Sequence, residues 1–123
     1  MRALVDTHIL LWWLGDDARL DSSYRELISN SDNELFVSSV TIAEISIKAS
    51  LGKLTVPHDI VQTAASEGFA SLPFTAAHAE VLRDLPWHHR DAFGRMLVAQ
   101  SMAERMPFAT ADLRIREYDV DCL

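Results

Sequence analysis

The strongest constraint on the fold is an alternation: short apolar runs with strand chemistry recur along the chain, separated by stretches with helical periodicity or helix-capping signals. Arg2-Ala3-Leu4-Val5 reads as a first strand, Glu34 to Ser38 as a second, Phe69 to Leu72 as a third and Pro107-Phe108-Ala109-Thr110 as a fourth. Tyr118 to Leu123 is expected to add a last, edge strand. Helices are expected over Thr7 to Leu14, Tyr24 to Ser29, Val40 to Ser50, Pro57 to about Glu67, Thr75 to Leu85 and Asp91 to about Arg105. Ser22-Ser23, Ser39 and Thr75 supply N-caps, while Gly52 and Pro86 supply stops. Strands joined through helices build βαβ units, so the expected class is α/β. A short, mostly parallel sheet of four to five strands is flanked by helices on both faces.

Length and composition narrow what such a sheet can serve. With 123 residues and 49% hydrophobic content, the chain is expected to form one domain spanning 1–123. The single cysteine, Cys122, rules out an internal disulfide and a cysteine-based zinc site. The longest wholly apolar run, Ile9 to Leu14, is far shorter than the roughly 20 residues of a spanning helix. Asp6 interrupts the N-terminal apolar stretch, which argues against a secretory signal. The expected setting is the cytoplasm, with no membrane partner. The formal charge of −7 disfavours simple electrostatic attachment to a polyanion, unless part of it exists to hold cations. Where the acids sit therefore decides the reading.

Four acids stand out. Asp6 ends the first strand, Glu44 lies inside the helix Thr-Ile-Ala-Glu-Ile-Ser-Ile-Lys, Asp91 opens the longest helix, and Asp112 follows the fourth strand in Ala-Thr-Ala-Asp. Each has an ordinary explanation. Asp6, Asp91 and Asp112 suit helix caps or turns. Glu44 falls with Thr41 and Lys48 on one helix stripe and can form an i,i+4 pair on a solvated face. Yet in doubly wound sheets sites form beyond the carboxyl ends of strands, and these positions could meet there. Clustered carboxylates repel unless a cation joins them. Mg²⁺ or Mn²⁺, held by oxygen ligands and water, suits phosphodiester hydrolysis.

The motifs around these acids resemble those of PIN-domain ribonucleases, in particular the VapC toxins of type II toxin–antitoxin pairs. Ala-Leu-Val-Asp-Thr-His, Ser-Ser-Val-Thr-Ile-Ala-Glu-Ile, His-Arg-Asp-Ala-Phe-Gly-Arg-Met-Leu-Val-Ala-Gln and Phe-Ala-Thr-Ala-Asp occur in family order across almost the whole chain. The resemblance implies a PIN-like domain acting as a metal-dependent endoribonuclease. Asp6, Glu44, Asp91 and Asp112 would be its catalytic and metal-binding acids, Mg²⁺ or Mn²⁺ its cofactor and RNA its substrate. It also implies inhibition by a cognate antitoxin and assembly as a homodimer through apolar helix surfaces, with Trp12 or Trp13 as candidates. The fourth motif departs from the pattern. Relatives carry acids at the positions of both Asp91 and Gly94, and here the second is glycine. The alternative reading is therefore a catalytically impaired PIN-fold binding protein. The retained Asp6, Glu44 and Asp112 favour the enzyme.

Among the remaining polar residues, His89, Arg90 and Arg95 flank the fourth motif and are expected to contact RNA phosphates, guanidinium being matched to phosphate oxygens. The five histidines, 8, 58, 78, 88 and 89, form no His-x-x-x-His pair that would suggest zinc. Asp6-Thr7-His8 lacks the Asp-x-Asp of haloacid-dehalogenase-type phosphatases. No glycine-rich phosphate loop occurs, which excludes the common nucleotide-binding modules.

Overall fold

A computed structural model describes all residues, 1–123. It contains four strands: β1 (Arg2–Val5), β2 (Glu34–Ser38), β3 (Ala70–Leu72) and β4 (Phe108–Ala109). Six α-helices accompany them: α1 (Thr7–Leu14), α2 (Ser22–Ser29), α3 (Ser39–Ser50), α4 (Ile60–Ser66), α5 (Ala76–Val81) and α6 (Ala92–Glu104). The sheet is parallel throughout, in the order β3-β2-β1-β4.

Burial on both faces explains why β1 reads as a continuous apolar run rather than an alternating one. Ala3, Leu4 and Val5 are all fully buried. Their side chains alternate between two cores. Ala3 and Val5 join Leu35, Val37, Ile9, Leu10, Ile45 and Phe69 on one side. Leu4 joins Phe36, Leu97, Val98 and Phe108 on the other. Register follows this pattern, with Ala3 beside Leu35 and Leu4 beside both Phe36 and Phe108.

Several boundaries differ from the sequence expectation for identifiable reasons. The terminal segment does not become a fifth strand; it makes one parallel bridge, Phe108 to Cys122, after the 3₁₀ turn Ile115–Glu117. Pro86 lies beyond a helix that has already tightened into a 3₁₀ turn at Leu82–Asp84. Ser38, not Ser39, caps α3 by accepting from the Val40 N–H, and Asp21 caps α2. Gly52, at φ 72°, provides the left-handed residue just past the end of α3.

The strand order matters most for function. The chain moves from β1 outward to β2 and β3, then crosses back to lay β4 on the other side of β1. The crevice between the carboxyl ends of β1 and β4 is thus the topological switch point, where open α/β sheets hold their ligands.

Candidate active site

Asp6 and Thr110, the residues just past β1 and β4, meet at that crevice. Asp6 caps α1, its Oδ1 accepting from the Thr7 N–H at 2.8 Å. The capping explanation is therefore correct, and it leaves the other oxygen free for a second task. Oδ2 accepts from the Thr110 hydroxyl at 2.6 Å. The same Thr110 oxygen accepts from the Asp112 N–H at 3.1 Å, so one hydroxyl links the two acids. Burial raises the Asp6 carboxyl above its ordinary range. The bonds from Thr110 and Thr7 and the neighbouring His8 oppose this rise without cancelling it, and the Glu44 charge adds to it.

Glu44 enters from α3. The Glu44–Lys48 pair exists, at 2.6 Å, but it does not sit on a solvated face: the Glu44 side chain is 6% exposed. The polar stripe of α3 is turned inward. Thr41, fully buried, shares a hydrogen bond with the Thr7 hydroxyl at 3.0 Å, which seats α3 against the start of α1. Helical period alone separates the two faces of α3; packing against α1 decides which one goes inside.

Asp112 is held from three sides. Its backbone bonds to Thr110, Oδ1 accepts from the Arg114 N–H at 2.9 Å, and Oδ2 receives His89 Nε2 at 2.8 Å. Burial alone would raise this carboxyl. The Arg114 N–H, the His89 bond and the nearby Arg114 charge outweigh that effect and hold it below the usual carboxylate range. His89 is fixed in turn, because its Nδ1 accepts from the Asp91 N–H at 3.0 Å. With Nδ1 occupied as an acceptor, the Nε2 proton points at Asp112.

Asp91 takes part through its backbone, while its carboxylate turns back onto its own helix. It caps α6, accepting from the Phe93 and Gly94 N–H groups at 3.2 and 3.3 Å. Gly94 faces the same place. A Cβ there would lie 3.4 Å from Asp91 Oδ2 and 3.7 Å from His89 Nε2, ordinary contacts both. The glycine thus opens directly onto the acid centre, one residue from which side-chain oxygens are absent.

Two expected phosphate contacts are placed differently. His89 is buried, its ring committed to Asp112 and Asp91. Arg95 is also buried and donates to the Leu85 and Pro86 carbonyls at 3.1 and 2.7 Å and to the Tyr118 hydroxyl at 3.1 Å. Its guanidinium lies 3.6 Å from the centre of the Trp87 ring. This arginine is spent on tying down the loop before α6. Arg90 is exposed.

The sequence reading missed Thr110 and Thr7, which orient Asp6, and placed the Glu44–Lys48 pair and Thr41 on a solvated face of α3 instead of an inward one. For Thr110 a signal was present: a hydroxyl residue closing a strand two positions before an acid is placed to bond both ways. No three His, Cys, Asp or Glu side chains lie close enough together to enclose a metal ion. The donors available, buried carboxylate oxygens with one lysine as counter-charge, are nonetheless of the hard type that suits a water-rich divalent cation.

The fold and this centre define an α/β protein with carboxylates gathered at the switch point of a parallel sheet. The PIN domain profile matches residues 3–121, so the chain belongs to the PIN domain family. PIN domains are generally nucleases that use divalent metals. No curated protein matches the chain in sequence. Among solved structures the chain is similar to VapBC from Salmonella typhimurium, described as DNA bound, at TM-score 0.73 and 14% identity, covering 100% of this chain and 97% of that one. VapBC2 from Rickettsia felis, bound to a DNA fragment from their promoter, gives TM-score 0.72 at 14% identity with 100% and 98% covered. FitAcB from Neisseria gonorrhoeae gives 0.64 at 16% identity with 100% and 96% covered. At these identities the likeness establishes the fold.

Proposed function

We propose that this chain is a VapC-type toxin, an endoribonuclease that hydrolyses RNA phosphodiester bonds in the β1–β4 crevice and is silenced by a cognate antitoxin. One observation carries the reading: a hydrogen-bonded chain runs from Asp6 through Thr110 to Asp112 and His89 at the carboxyl ends of β1 and β4, with the buried Glu44 of α3, paired to Lys48, acting on the Asp6 charge. Capping alone would not require Asp6 and Asp112 to share one hydroxyl, nor a glutamate of α3 to be buried where its charge acts on Asp6.

Asp6, Glu44 and Asp112 are the residues that would hold Mg²⁺ or Mn²⁺, with Asp91 at the margin. When bound, such a cation acidifies a coordinated water and offsets charge developing on the phosphate. The protein's own part is positional. Thr110 keeps Asp6 and Asp112 in one orientation, His89 aims Asp112, and Lys48 fixes the Glu44 carboxylate by a 2.6 Å contact. Arg90, exposed at the rim, is placed to meet a phosphate.

The acidic crevice of a −7 chain fits an antitoxin segment that presents Arg or Lys to the carboxylates. Self-association is assigned to the exposed apolar residues Ile47, Leu51 and Val61. A monodisperse monomer at high concentration in sedimentation would refute the dimer.

A specific observation supports the second reading, a catalytically impaired PIN-fold binding protein. Gly94 leaves the centre without the acid expected at that one position, and the Asp91 carboxylate serves as a helix cap instead of replacing it. Cleavage of total RNA with and without Mn²⁺ separates the two. The enzyme reading expects metal-dependent cleavage that Asp6→Asn and Glu44→Gln abolish. Cleavage equal in all three proteins would mark a contaminant, and absence of cleavage with intact antitoxin binding would establish the binding protein.

A further inference from the structure

A cavity of about 530 Å³ lies beside the acid centre, between α1, α3 and the segment leading to α4. Its size falls within the range of ligand pockets, roughly 300–1,000 Å³. Its lining is unlike the rest of the molecule. The chain has two lysines, Lys48 and Lys53, and both line this cavity, together with Arg19 and His8. Against Asp17 and Glu67, Arg19, Lys48 and Lys53 leave this lining with a formal excess of one positive charge in a chain of net charge −7. Most of these charges are already paired: Arg19 with Asp17 through contacts of 2.7 and 3.1 Å and Lys48 with Glu44 at 2.6 Å, while Glu67 accepts from the Trp13 indole at 3.2 Å. Lys53 is exposed and forms no ion pair.

The same cavity carries an aromatic wall. Trp12 is half-buried, with the Arg19 guanidinium 5.4 Å from its ring centre and the His8 ring 5.9 Å away, tilted by 44°. His8, Trp12 and Arg19 are thus three planar groups in a row. Basic residues combined with a planar aromatic surface are the chemistry that holds single-stranded nucleic acid, bases stacking while cations meet the backbone. Position agrees with chemistry. Lys48 borders the cavity and bonds Glu44, and His8 stands two residues from Asp6 and acts on its charge. The cavity therefore adjoins the acid centre through Lys48 and the start of α1.

We propose that this cavity is the path of the RNA strand flanking the scissile bond, with a base stacked against Trp12 and a phosphate on Lys53. The proposal deepens the ribonuclease reading and rests on it for the identity of the strand. It departs from the sequence expectation that Trp12 is a candidate for a dimer surface.

The test is fluorescence anisotropy of a short, labelled, mixed-sequence single-stranded RNA in EDTA, where no hydrolysis interferes. Trp12→Ala is expected to weaken binding roughly 5- to 140-fold, the value of one base–aromatic stack expressed as affinity. Trp12→Phe is expected to retain most of it. Lys53→Ala, on an exposed side chain that does not threaten folding, is expected to lower the salt slope by about 0.7. Arg83→Ala, exposed elsewhere, is the control. Affinities and slopes for Trp12→Ala and Lys53→Ala equal to the control would overturn the proposal. So would variants that lose antitoxin binding while RNA affinity stays unchanged, which would assign the cavity to a protein partner. The two readings fail separately. Metal-dependent cleavage with unaltered KM in Trp12→Ala and Lys53→Glu would sink the cavity and leave the nuclease. Binding that depends on Trp12 without cleavage by the unmodified chain would sink the nuclease and leave the cavity.

Discussion

Restoring an acid at position 94 is the most informative single change. Gly94 is the third residue of α6, and its N–H donates to Asp91 Oδ2 at 3.3 Å. The new Cβ would meet only ordinary contacts, at 3.4 and 3.7 Å, so the backbone position accepts a side chain. Replacing glycine in a helix contributes a few tenths of a kcal/mol. An acid in the first turn adds about 0.3–1 kcal/mol from the helix dipole. Against these stands a second carboxylate beside that of Asp91. At about 5 Å and an effective dielectric between roughly 20 and 80, their repulsion is about 1–3 kcal/mol. Without a cation the variant is therefore expected to be between neutral and about 2 kcal/mol less stable. A divalent ion at about 100 times its Kd contributes about 2.7 kcal/mol, or on the order of 10 °C in Tm for a domain of this size. Thermal melts of both chains in EDTA and in excess Mn²⁺, followed by RNA cleavage, measure this directly. The expected pattern is a larger Mn²⁺-induced shift and faster cleavage for Gly94→Asp. Equal shifts and equal cleavage would refute the reasoning and show that Asp6, Glu44 and Asp112 suffice.

Three further outcomes follow from the same geometry. Thr110→Val removes the hydroxyl shared by Asp6 and Asp112. It should cost about 2–4 kcal/mol in urea denaturation, with Thr110→Ser restoring most of it; an unchanged midpoint would deny the bridge its importance. Arg95→Lys breaks the donation to two carbonyls and the contact with Trp87, and should cost about 2–4 kcal/mol and change tryptophan emission. The Asp6 carboxyl titrates higher folded than unfolded, so the folded state holds the extra proton. Stability therefore falls as pH rises from the unfolded value through the folded one. Denaturation across that window should show the decline in the parent chain and its loss in Asp6→Asn. Asp112, displaced downward, has the opposite sign, and its contribution disappears as pH falls through its folded value.

What could be read from sequence was whatever follows from burial on two faces or from capping chemistry. β1 and β2 announce themselves because a strand covered on both sides must be apolar throughout, and Asp6 and Asp91 are the caps their positions suggested. The inward turn of Glu44 was not legible, because a periodic helix covered on both stripes gives no sign of which one meets a neighbour. Arg95 misled for a related reason. A buried guanidinium satisfied by backbone carbonyls leaves no acid in the sequence to mark its partner. The convergence of Asp6 with Asp112 was expected from strand ends, while the hydroxyl between them required the coordinates.

The Asp6–Thr110 bond spans 104 residues of chain and sits beside the strand that is added last to the sheet. During synthesis at roughly 5–20 residues per second, about 5–20 s separate the appearance of the first acid from that of the hydroxyl that orients it. Throughout that interval the nascent chain carries its carboxylates without a centre. Assembly of the crevice is a late event, dictated by strand order, and a ribosome making this protein is not exposed to a finished site until β4 has been delivered.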